Sequence, residues 1–174
     1  MSAQDWSLPV PLHEVARGAK SFTVDADEAT RAGIARTLDL AALLSFEASV
    51  RVKPWLDGAE LDGRWSARVR QVCGVSLDEF ETPLSGEFHL HVVPAGSDLA
   101  PTDDDELTAD PEAPDPPDVL EGDEIDVAAY LVEHLALELD PFPRKPGVVF
   151  EPPEEPGEPS PFAALARLKP LGDA

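Results

Sequence analysis

Three consecutive stretches in which apolar and polar residues alternate constrain the fold of this chain most strongly. They cover residues 44–52, 64–73 and 79–93, and the last is interrupted near 83–86. Successive side chains of a β-strand point to opposite faces, so this alternation predicts strands that are buried on one side only. Turn-forming residues lie between the stretches, notably Asp62-Gly63. We therefore expect an antiparallel β-meander.

Two longer helices flank the predicted strands. Residues 21–24 read as a short strand, and the acids that follow can cap a helix that ends near Leu38. A second helix is predicted at 125–139, where Asp126 can cap and an apolar stripe recurs every three to four residues. The predicted fold class is α+β, with a small antiparallel meander packed by these two helices in one domain covering residues 1–174.

The remaining segments lack a strand or helix period, or are short. Residues 97–124 hold five Pro and no aromatic residue, which predicts a mobile acidic loop. Residues 144–159 are rich in Pro and Glu and are predicted to be extended. Residues 160–169 predict a short C-terminal helix with Phe162, Leu165 and Leu168 on one side. Such a helix docks either on its own domain or on a partner.

Charge is distributed very unevenly along the chain. The net charge is −22, and residues 71–143 contain 20 Asp and Glu but no Lys or Arg. This half of the chain should repel bare nucleic acid and attract cationic protein surfaces. The N-terminus lacks the pattern of a signal peptide, and no run of apolar residues is long enough to span a bilayer. We expect a cytoplasmic protein with no membrane partner.

The predicted strand 64–73 carries the best candidate for a binding surface. Arg64, Arg68 and Arg70 fall on its polar side, and Arg51 and Lys53 of the preceding strand could lie beside them. Such a surface could contact RNA phosphates or an acidic protein. The alternative is a solvated sheet face whose arginines pair with the chain's own acids.

No catalytic, cofactor or metal site is predicted. His89 and His91 are two apart on a strand and could share a zinc ion, but exposed strand histidines are the simpler interpretation. Cys73, the one cysteine, falls on the apolar side and predicts a buried, inert thiol. The common motifs of hydrolases, phosphate loops and dinucleotide sites are absent from the sequence. No small-molecule substrate is expected.

The order of these segments resembles the YceD family, the large ribosomal RNA subunit accumulation proteins. The similarity depends chiefly on the segment 68–80, on DPFPRKPG at 140–147 and on SPFAALARLK at 160–169. The single Cys and the DPFPRKPG turn are similar to the alphaproteobacterial branch. Many members carry a C-x-x-C in the central segment, whereas here Arg70 stands at its first position. Cys73 alone does not build a metal site of that kind.

This resemblance implies a non-enzymatic factor in ribosome biogenesis that supports accumulation of large-subunit ribosomal RNA. The favoured hypothesis is that the acidic loop binds a basic ribosomal protein or a pre-ribosomal particle. The acids that this hypothesis assigns to binding are Asp103, Asp104, Asp105 and Glu106. Direct binding of ribosomal RNA by the arginines is the alternative, and a metal-dependent ribonuclease is a third reading without a defined set of ligands.

Overall fold

A computed structural model describes residues 6–101 and 115–150. The elements in chain order are β1 (Pro9–Pro11), α1 (Leu12–Val15), β2 (Lys20–Asp25), α2 (Glu28–Thr37), β3 (Ala42–Trp55), β4 (Gly58–Val72), β5 (Glu79–Pro94), β6 (Asp118–Leu120), β7 (Glu124–Asp126) and α3 (Val127–Leu137). Strands hold 45% of the described residues and helices 19%.

The main sheet has five strands in the order β2-β3-β4-β5-β6. Strands β2 to β5 pair antiparallel, whereas β6 pairs parallel with the end of β5. Strands β1 and β7 form a separate two-stranded antiparallel sheet. The predicted fold class, a small antiparallel meander packed by two longer helices, is therefore wrong. The chain is mostly β with a mixed sheet, and its three long strands of 14 to 16 residues exceed the helices of 10 and 11.

Two cross-strand pairs, each of a glycine and an aromatic residue, explain why the strands are longer than the sequence pattern predicts. Gly63 faces Phe88 on β5, and a Cβ at Gly63 would lie 2.2 Å from that ring. Gly86 faces Trp65, whose indole a Cβ at Gly86 would approach to 2.8 Å. Each glycine gives an aromatic ring room above the neighbouring strand, an arrangement known to support strand glycines. The signals at 62–63 and 83–86 therefore mark ring packing within continuous strands, not turns.

One face of the main sheet forms the core together with the helices. Its fully buried side chains include Phe46, Val52, Leu61, Val69 and Val92. Helix α3 contributes Leu131 and Leu135, and α2 contributes Ile34. A register shift between Leu43 and Ser45 places Leu43 in the core instead of Leu44. The opposite face of the sheet carries no helix among the described residues, and we call it the outer face.

The caps of both longer helices follow the sequence prediction. Asp27 precedes α2, and its carboxylate accepts a hydrogen bond from the Thr30 N–H at 2.8 Å. Asp126 precedes α3 and accepts from Ala128 N–H at 3.0 Å and from Leu8 N–H at 2.9 Å. Asp126 thereby also fixes the N-terminal strand against α3. No helix within residues 6–101 and 115–150 combines the length and apolarity required to cross a membrane.

The other predicted segments lie partly or wholly outside the described residues. Residues 102–114, with Asp103, Asp104, Asp105 and Glu106, are outside them, as are 151–174, with the predicted C-terminal helix. The described end of the predicted acidic loop contains β6 and the first residue of β7.

Candidate outer-face binding surface

The outer face brings together all five basic residues that the sequence analysis singled out. Arg51 and Lys53 lie on β3, and Arg64, Arg68 and Arg70 lie on β4. The antiparallel register places Arg51 beside Asp62, which lies two residues before Arg64 on β4. Alternation along each strand causes this clustering, because every second residue faces away from the core.

Acidic residues on the same face outnumber these cations. By register and exposure the face carries seven carboxylates, namely Asp25, Glu47, Glu60, Asp62, Glu79, Glu81 and Glu87. Seven acids against five bases leave the face with a net negative charge when its histidines are neutral. The face therefore does not present the positive field that non-specific RNA binding requires.

Four of the five basic side chains have carboxylate neighbours in the described chain. Arg70 Nη2 lies 2.8 Å from Glu81 Oε1, and Glu79 is 3.8 Å from the same guanidinium. Arg64 lies 3.7 Å from Glu87 and Arg68 lies 3.9 Å from Glu81. The hydrogen bond that Arg70 donates to the Glu81 carboxylate is the main reason that the pKa of Arg70 is raised. Pairs this exposed contribute little stability, so their principal effect is to offset the positive charge.

Arg51 differs from the other four. Its side chain is exposed, and no carboxylate among the described residues lies within 4.0 Å of it. The carboxylate opposite, that of Asp62, is held by Lys53 and His89 instead. Arg51 is thus the basic group of this face best placed to contact a partner.

A compact charge cluster occupies one end of the face. Lys53 Nζ lies 2.8 Å from both Glu60 Oε1 and Asp62 Oδ2, and His89 Nδ1 lies 2.7 Å from Asp62 Oδ1. Hydrogen bonds from Lys53 and then from His89 lower the pKa of Asp62, and the two carboxylates raise the pKa of Lys53. The ligand atoms of Glu60, Asp62 and His89 lie within 4.8 Å of one another, close enough for one metal ion. The Lys53 ammonium, however, already supplies the positive charge between the two carboxylates.

The two strand histidines make different contacts. The His91 ring stacks on Trp55 with centroids 4.0 Å apart, while the His89 ring meets His91 edge-on at 5.1 Å. The sequence pattern does not connect Glu60 or Asp62 with these histidines, because it predicts a turn at Asp62-Gly63 and a strand that begins at Arg64. The β4–β5 register, which pairs Glu60 with His91 and Asp62 with His89, brings these side chains together.

A shallow trough crosses the middle of the outer face. Two adjoining depressions of about 640 and 710 Å³ extend from β2 to β5. Small polar side chains form much of the lining, including Thr23, Ser49, Ser66 and Ser85. Arg64 and Glu87 border both depressions, and Arg51 borders one. A broad polar trough with charges of both signs fits an extended protein segment better than an enclosed small molecule.

Cys73 is fully buried, as the sequence predicts. Its sulfur accepts backbone hydrogen bonds from Val75 and Ser76, both at 3.4 Å. Hydrogen bonds from Ser76 are the main reason that the thiol pKa is lowered to about 6, with a further contribution from the Lys145 N–H, while burial opposes the shift. The sequence does not predict this lowering of the thiol pKa, because the donors come from the tight loop after β4 and from a segment about 70 residues further along the chain.

The family model of the large ribosomal RNA subunit accumulation protein YceD matches residues 61–169, from the first part of β4 onward. No curated protein matches the chain, and no solved structure does so either. Since the matched region covers more than half of the 174 residues, this chain belongs to the YceD family.

Proposed function

We propose that this protein is a non-enzymatic, cytoplasmic factor in ribosome biogenesis, which supports accumulation of large-subunit ribosomal RNA by binding a basic ribosomal protein. Membership in a family described by that accumulation supports the biological process. The distribution of charge supports the kind of partner. The acid-rich half of the chain and the net negative outer face both favour a cationic protein over a polyanion.

The observation that carries this choice is the pairing of the basic residues on the outer face. A phosphate backbone would have to displace Glu81 and Glu87 from the arginines while approaching a surface of like charge. A ribosomal protein rich in Lys and Arg faces no such cost. Its cations would meet the carboxylates of the outer face and of residues 103–106, where four acids follow one another.

Capture of partners from the host at low and at high salt tests the proposal. We expect basic ribosomal proteins to be recovered at about 50 mM salt and lost at several hundred millimolar, because screening weakens exposed charge pairs. Treatment with ribonuclease before capture should leave this recovery intact. Failure to recover any ribosomal protein, ribosomal RNA or biogenesis factor even at low salt would contradict the proposal.

Two variants with opposite charge changes identify the surface. The quadruple variant Asp103→Asn, Asp104→Asn, Asp105→Asn, Glu106→Gln should reduce capture of basic proteins without changing side-chain size. The matched variant with Arg51, Arg64, Arg68 and Arg70 changed to Ala should retain capture and change melting little. If instead the arginine variant abolishes a gel shift with ribosomal RNA, while the acid variant has no effect, direct RNA binding replaces the proposed function.

A further inference from the structure

A cleft of about 520 Å³ lies at the end of the molecule where β4, α2 and α3 terminate. Its apolar lining comes from Leu38, Leu40, Ala41, Val72, Leu139, Pro141 and Pro143. Two strongly exposed apolar side chains, Leu77 and Phe142, project from the loops that flank it, with 76% and 78% of their surface accessible. Grouped exposure of this kind marks a surface that another element covers, whereas scattered apolar residues need no explanation.

We propose that residues 160–169 of this same chain occupy this cleft as a short amphipathic helix. Phe162, Leu165 and Leu168 recur at helical spacing, so that one side of the segment is apolar. These three side chains would cover the exposed apolar surface of the cleft. The proposal concerns an intramolecular contact and does not depend on the proposed function.

The course of the described chain places the segment within reach. The backbone N–H of Gly74 donates to the Pro143 carbonyl at 2.9 Å, and Lys145 Nζ lies 3.0 Å from Asp78 Oδ2. These contacts hold residues 143–145 beside the cleft that Pro143 lines. Nine residues, 151–159, separate the last described residue from the segment, and when extended they span about 30 Å.

Charge also favours this occupant. The cleft is bordered by the carboxylates of Asp39 and Asp140, and no Lys or Arg of the described residues lines it. The segment contains no acid between Ser160 and Lys169 and ends with two cations, Arg167 and Lys169. It is therefore one of the few stretches of this acidic chain that the cleft would attract. The matched region of the family model also extends through residue 169, which places the segment inside the family's domain.

Hydrogen exchange of the full-length protein, read by mass spectrometry, tests the contact. A ten-residue helix is marginal in water by itself, so protection of its amides must come from docking. We expect amides of 162–169 to exchange at least about tenfold more slowly than an unstructured chain. The double variant Phe162→Ala, Leu165→Ala should abolish this protection and accelerate exchange at 38–42 and 139–143.

Two further variants separate docking from a change in the segment alone. Ala163→Gln alters the opposite side of the helix and should leave protection unchanged. Val72→Glu places a charge in the cleft at an exposed position and should release the segment, while circular dichroism shows that the fold is retained. Exchange of 162–169 at the unstructured rate in the wild type would overturn the proposal. So would protection that rises with protein concentration, which would indicate a second copy, or protection that requires added host extract.

Discussion

Substitution of Gly63 by Ala is expected to destabilise the protein, because the inner side of this residue is filled by an aromatic ring. A Cβ there would lie 2.2 Å from two carbons of Phe88. The ring cannot simply withdraw, since His134 of α3 stacks on it with centroids 4.3 Å apart and planes 3° from parallel. Either the ring must leave its position, carrying His134 with it, or β4 must separate from β5.

The magnitude follows from two opposing effects. Overpacking of this kind typically costs about 1–3 kcal/mol. Replacing Gly by Ala also stiffens the unfolded chain, which returns about 0.4–1 kcal/mol. We therefore expect a net loss of about 1–2 kcal/mol in the free energy of unfolding. At about 2–4 °C per kcal/mol for a chain of this size, the Tm should fall by about 2–8 °C.

Urea denaturation and thermal melting, followed by circular dichroism, measure both quantities. Gly33→Ala is the matched control. Gly33 lies within α2, and among the described side chains its new Cβ would meet just the end of Arg36, at 3.9 Å. This control should stabilise the protein by about 0.5–1 kcal/mol. The variant Phe88→Leu should tolerate Gly63→Ala better than the wild type does, because the obstructing ring is absent. A Gly63→Ala protein as stable as the wild type, or one whose loss is the same in the Phe88→Leu background, would refute this account of the strand pair.

Three further perturbations have defined outcomes. Because the thiol pKa of Cys73 falls from 9.0 to about 6 on folding, the thiolate should contribute stability that is complete above pH 9 and is lost as pH falls towards 6. Absorbance of this single thiolate near 240 nm should titrate with a midpoint near pH 6, and Cys73→Ser should weaken the pH dependence of the free energy of unfolding. A midpoint near pH 9 would contradict the hydrogen bonds to the sulfur. Lys53→Gln should raise the pKa of Asp62, because Lys53 is the largest cause of the lowered pKa of that carboxylate. Carbon NMR of the Asp62 carboxylate measures the pKa, and an unchanged titration would argue against the Lys53–Asp62 ion pair. Pro83→Val should increase self-association, because Pro83 lies on the part of β5 with no second strand neighbour in the described chain and Pro protects such edges. Light scattering measures this, and a particle mass equal to that of the wild type would show that other residues protect the edge.

The strands and capped helices of this fold were accessible from sequence because they depend on local periodicity and local caps. Alternation located β3, β4 and β5, and Asp27 and Asp126 marked the helix starts. The fold class was not recovered, because β6 and β7 are three residues long and their pairing is set by partners distant in sequence. Asp62-Gly63 was read as a turn because its packing against Phe88 involves a residue 25 positions away.

On the outer face too, the features set by neighbouring residues follow from the sequence, whereas those set by residues distant in sequence do not. Placement of the five basic residues on one face follows from strand alternation, and the structure brings them together. Their neutralisation by Glu81 and Glu87 depends on the register between β4 and β5, which alternation alone does not determine. The lowered pKa of Cys73 likewise requires donors from the tight loop after β4 and from the segment around Lys145.

The parallel pairing of β6 with the end of β5 brings the two ends of the connection between these strands close together. Val92 pairs with Asp118 and Pro94 with Leu120. The point where the chain leaves β5 and the point where it enters β6 are therefore only a few residues apart along the same edge of the sheet. Lengthening such a connection costs only about 0.6 kcal/mol for each doubling. An epitope inserted between these two strands, outside residues 103–106, should therefore be accepted without disturbing the sheet.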